Sequence, residues 1–68
     1  MKTVTQDQVE NAVKNLRFWE SQVAICEAKA ESFTILKEHG KARRQRNMAE
    51  TYTHQVNNVK KWLLLNTR

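Results

Sequence analysis

The densest group of chemically capable side chains is Lys37, Lys41, Arg43, Arg44 and Arg46, five cations within ten residues opposed in that stretch only by Glu38. Cations grouped in this way hold anions, either the phosphates of a nucleic acid or an acidic protein surface. Cations in the first turn of a helix are normally unfavourable, so several in a row suggest a use. A plainer account competes with that one. A charged turn keeps a small protein solvated, and the carbonyls ending a neighbouring helix attract cations. Lys14, Arg17, Lys60 and Lys61 would extend the positive field along the molecule. The whole chain carries twelve Lys and Arg against seven Asp and Glu, a net charge of +5.

Other candidate groups carry less. Glu50 and His54 sit four residues apart, a spacing that places two ligands on one helix face, but no further ligands accompany them. Glu27 and Glu31 lie on successive turns without an evident partner acid or base. Cys26 falls in an apolar stripe and reads as a small buried hydrophobe rather than a reactive thiol. There is no glycine-rich phosphate loop and no Ser/His/Asp or Cys/His set. The expectation is a protein without catalytic residues, metal or cofactor.

The charge is not accompanied by a nucleic-acid recognition signature, whether zinc-finger spacing, a basic zipper or an aromatic RNA-binding motif. Trp19, Tyr52 and Trp62 fall on or beside helix-packing seams and are expected to pack rather than stack on bases. Lys60-Lys61-Trp62-Leu63-Leu64-Leu65 has the look of a membrane-surface segment. Packing against Val9, Val13 and Leu16 is the expected fate of its apolar residues.

The elements that would position these groups are helical. Sixty-eight residues with one Gly and no Pro leave few of the tight turns that β-folds need. They bound the chain to one small domain. Thr5 with Gln8 forms a capping box, Val4 and Val9 flank it as a hydrophobic staple, and Asp7 and Glu10 suit the positive helix start. From there Val9, Leu16, Val23 and Ala30 recur every seven residues, and Ala12, Trp19, Cys26 and Phe33 follow each by three, the a/d pattern of helix-on-helix packing. The register fails beyond Leu36. It resumes in a different phase with Ala42, Ala49, Val56 and Leu63 as a, and Gln45, Tyr52, Val59 and Asn66 as d. The single Gly lies at the break. The reading is an all-α, antiparallel two-helix hairpin over residues 1–68, with a helix at about 6–38, a turn at 39–40 and a helix at about 41–66. Gly40 takes the left-handed position in that turn. A kinked continuous helix is the alternative, because nothing around Lys41 caps a second helix.

Two helices make a thin core, and a chain this short often needs a disulfide, a metal or a second copy. Apolar residues also lie off the seam: Phe18, Ile25, Ala28 and Ile35 on the first helix, and Met48, Trp62, Leu64 and Leu65 on the second. Phe18, Ile25, Ile35, Met48, Trp62 and Leu65 are therefore the candidate interface, and two hairpins are expected to dimerise into a four-helix bundle. In that architecture the chain resembles Rop, the plasmid-encoded RNA-binding helical hairpins. No local motif of that family is present. The size and composition are those of a small phage or plasmid accessory protein.

The expected partners are a second copy and another protein, with nucleic acid as the alternative. No apolar run reaches the roughly 18 residues needed to span a membrane. Met1-Lys2 leads into polar residues rather than a signal peptide, and one cysteine fits a reducing compartment. A cytoplasmic location is expected.

Overall fold

A computed structural model describes residues 4–67 of the chain. They form two antiparallel helices, α1 (Gln6–Ile35) and α2 (His39–Asn66), joined by a three-residue turn. The rod measures 53 × 15 × 13 Å. Its entrance is built as the capping box requires. Thr5 Oγ1 accepts from the Gln8 amide at 3.2 Å, and Gln8 Oε1 accepts from the Thr5 amide at 3.0 Å.

Both heptad registers are realised, because each puts its small and apolar residues on the one face that can meet the other helix. Every residue of both seams is buried or half-buried, from Val9 to Phe33 on α1 and from Ala42 to Asn66 on α2. The most enclosed are small: Ala42 is 0% exposed, Ala30 3% and Cys26 4%. They lie toward the turn and let the backbones approach closely. The bulky residues lie toward the open end, where Trp19 stacks on Tyr52 across the seam with centroids 5.4 Å apart. Phe18 and Trp19 meet edge-to-face, with centroids 5.1 Å apart.

The turn departs from the sequence expectation. It spans Leu36–Glu38 instead of residues 39–40, and the left-handed residue is Lys37, with φ of 61°. Gly40 lies inside the first turn of α2, with no positive φ. The reason is the pair of hydrogen bonds that a Schellman cap makes. The Glu38 amide donates to the Phe33 carbonyl at 2.8 Å, and the Lys37 amide to the Thr34 carbonyl at 3.0 Å. These bonds place the reversal where Phe33 can stay in the seam, and they force a left-handed residue at 37 whatever its type. α2 starts at Glu38 with no side-chain cap, as the lack of a Ser, Thr, Asp or Asn there implied.

Candidate interaction surfaces

The five cations of the basic cluster do not form one uniform site. Lys37 occupies the turn, and the other four lie on the first two turns of α2. Lys41 is engaged within the hairpin: its Nζ lies 3.4 Å from Glu38 Oε1 and 5.8 Å from the centroid of the Phe33 ring. Arg46 is engaged too. Its Nη2 donates to Thr34 Oγ1 at 2.9 Å, and that hydroxyl donates onward to the Ala30 carbonyl at 2.9 Å. This relay ties α2 to the last turn of α1 across the seam. Nothing in the linear sequence pairs Arg46 with Thr34; only the hairpin brings them together. Lys37, Arg43 and Arg44 are exposed, and among the described residues Lys41–Glu38 is the one ion pair.

Beside these cations the turn presents Ile35, 74% exposed, and Leu36, 67% exposed. The reversal strips both of neighbours: α1 ends at Ile35, and Leu36 is already its cap. The tip therefore combines bare aliphatic surface with uncompensated positive charge.

Along the rod the two sides of the hairpin differ. One groove is lined by Gln8, Asn11, Ala12, Asn15, Asn58, Val59 and Trp62. The opposite side has two, lined by Glu20, Ala24, Glu27, Asn57 and Lys60 and, nearer the turn, by Glu27, Glu31, Thr34, Ile35 and Arg46. Steps of seven residues from these linings assign the remaining rows, because residues seven apart share a helix face. The first side carries Asn11, Phe18, Ile25 and Ser32 with Gln8, Asn15, Gln22 and Lys29. On α2 it carries Lys41, Met48, Gln55 and Trp62 with Arg44, Thr51, Asn58 and Leu65. These helical rows hold no carboxylate, and the one beside them is Glu38 at the turn, paired with Lys41. Glu10, Glu20, Glu27, Glu31 and Glu50 all fall on the other side.

The candidate interface residues divide accordingly. Phe18, Ile25, Met48, Trp62 and Leu65 share the acid-free side. Ile35 is drawn away to the back of α1 and the tip. Phe18 is 55% exposed, Ile25 46%, Met48 37% and Leu65 63%, while Trp62 is half-buried against the seam. The two-sidedness was open to sequence reasoning, since combining the two registers already sorts the acids, but a search for apolar stripes alone passes over it.

The remaining candidates are dispersed. Cys26 is a free, buried thiol in the seam. Glu50 and His54 are exposed on α2, and among the described residues no three metal-ligand side chains gather. Leu63 and Trp62 are half-buried, as are Val9, Val13 and Leu16 at the facing end of α1, while Leu64 stays 69% exposed. Among the described residues, neither helix is long and apolar enough to cross a membrane. No protein family, curated protein or solved structure matches the chain.

Proposed function

We propose that the protein is a non-enzymatic helical binding module of the cytoplasm, a homodimeric four-helix bundle that acts as a regulator, inhibitor or adaptor by docking onto another protein. One observation carries the docking reading: Ile35 and Leu36 stand bare at the tip beside Lys37, and Arg46 lines the same groove as Ile35. Aliphatic anchors ringed by cations suit an apolar pocket with an acidic rim, where the anchors supply the affinity and the charges steer the approach.

Nucleic-acid binding is the second reading, favoured by the free cations Lys37, Arg43 and Arg44. Stacking on successive bases would need several exposed rings, and Phe18 alone is exposed, while Trp19, Phe33, Tyr52 and Trp62 are half-buried in helix packing. That weighs toward a protein partner.

The two readings separate in one experiment. The wild-type chain and a variant carrying Ile35→Gln and Leu36→Gln are used for affinity capture from the native host, with and without nuclease. Docking predicts a partner that survives nuclease and is lost with the variant, while circular dichroism of the two proteins is unchanged. Labelled duplex DNA and single-stranded RNA are titrated in parallel. Tight binding that falls steeply with salt, with a slope reduced by neutralising Arg43, Arg44 and Arg46, would overturn the protein-docking reading.

A further inference from the structure

We infer that the acid-free side of the hairpin is the dimer interface, and that a second copy packs on it with its tip at the opposite end. The inference rests on the homodimer reading above and specifies its surface and register.

The first argument is area. The chain exposes 5659 Å², whereas a compact protein of 8.0 kDa exposes about 4,450 Å². The surplus, roughly 1,200 Å², is spread around the whole rod, and a standard stable interface takes ~800 Å² per partner. A rod only two helices thick cannot hide that surface by itself, and a second rod laid along it can hide part of it.

The second argument is charge. The unpaired ionised groups on this side, Lys29 and Arg44, are positive and sit toward the tip, where Lys41 is already paired with Glu38. The half toward the open end carries amides, Gln8, Asn11, Asn15 and Asn58, whose carbonyl oxygens accept hydrogen bonds. Two copies with their tips together would stack cation on cation. With the tips at opposite ends, the cations of each copy lie over the amides of the other.

The third argument is register. Full overlap of two rods puts the two-fold axis close to Gln22 on α1 and Thr51 on α2, residues that lie level because Trp19 stacks on Tyr52. About that axis Phe18 faces Ile25 of the second copy, Met48 faces Gln55, and Arg44 faces Asn58. Lys29 falls opposite Asn15, and Lys41, held within its own hairpin by Glu38 and Phe33, falls opposite Trp62. Large residues meet large ones near the axis, cations meet acceptors away from it, and no residue faces a like charge.

The test uses the full chain with single cysteines added and a bis-maleimide linker spanning about one helix diameter, ~10 Å. Wild type, whose Cys26 is buried, is the control. Thr51→Cys lies at the axis and should cross-link to dimer in high yield. Arg44→Cys is seven residues from the axis in each copy, an axial separation of about 21 Å, and should give little linked dimer. Equal linkage at both positions would put the tips together and overturn the register while leaving the homodimer standing. Ile25→Glu should weaken dimerisation at least tenfold by light scattering across concentration, and Ala24→Glu, on the other side, should leave it unchanged. The reverse pattern would overturn the choice of surface. A wild-type chain that stays monomeric at high micromolar concentration would overturn both this inference and the homodimer beneath it.

Discussion

Lys37 bears the strain of the turn. An L-residue in the left-handed region brings its Cβ close to the following carbonyl oxygen, at a cost of roughly 1–2 kcal/mol. Glycine escapes that contact but gains freedom in the unfolded chain, so Lys37→Gly should stabilise the hairpin by a net ~0.5–1 kcal/mol. Gly40 is the complementary case. It sits in a helix with negative φ, and a Cβ built there meets nothing within 4 Å. Gly40→Ala should therefore also stabilise, by about 0.5–1 kcal/mol. Thermal melts of the two variants check the pair, and a rise of several degrees is expected for each in a domain this small. A turn centred on Gly40 would give the opposite sign at that position.

At the scale of the elements, the small residues of the seam set how closely the helices lie. Ala42 is fully enclosed and Ala30 nearly so. Ala42→Leu has no space to fill and must push α2 from α1, at a cost of about 1–3 kcal/mol; chemical denaturation of the variant against wild type measures it. Most of this arrangement is legible in the residues alone. The capping box and both a/d registers follow from local hydrogen bonding and from which residues gain by leaving water, and those forces act at the spacings the sequence displays. The turn was less legible. Its position is decided by two backbone hydrogen bonds from Lys37 and Glu38, which take no account of side-chain type, so the glycine was a misleading marker. The Arg46–Thr34 bond was hidden for a different reason: twelve residues separate the two, and their meeting depends on where the reversal falls. Of the basic cluster the sequence supplied the charge but not its partition into groups held by the hairpin and groups left free.

At the scale of the whole molecule, the hairpin is all periphery. Its radius of gyration is 15.6 Å, against about 11 Å for a compact chain of this length, and no large side chain among those described is completely sealed from solvent. Stability that draws on a second copy depends on protein concentration by mass action. The melting temperature should therefore rise as the protein is concentrated from low to high micromolar, and the Ile25→Glu variant should lose that dependence. A melt of the wild type independent of concentration over the same range would show that the surplus surface stays wet.

The shortness of the turn bears on how the chain folds. With only Leu36–Glu38 between the helices, Phe33 and Lys41 are brought together by closing a very small loop. Each contact farther along the seam then adds only a little to the loop already closed. Ala30 and Ala42 come next, and Trp19 and Tyr52 later, so the pairing can run outward from the reversal like a zip. Mean sequence separation stays low for every contact near the turn, the condition under which helical proteins fold in microseconds to milliseconds. The same gradient operates in reverse: opening begins at the ends bearing Val9 and Leu63, and the stretch around Cys26, Ala30, Ala42 and Ala49 holds longest.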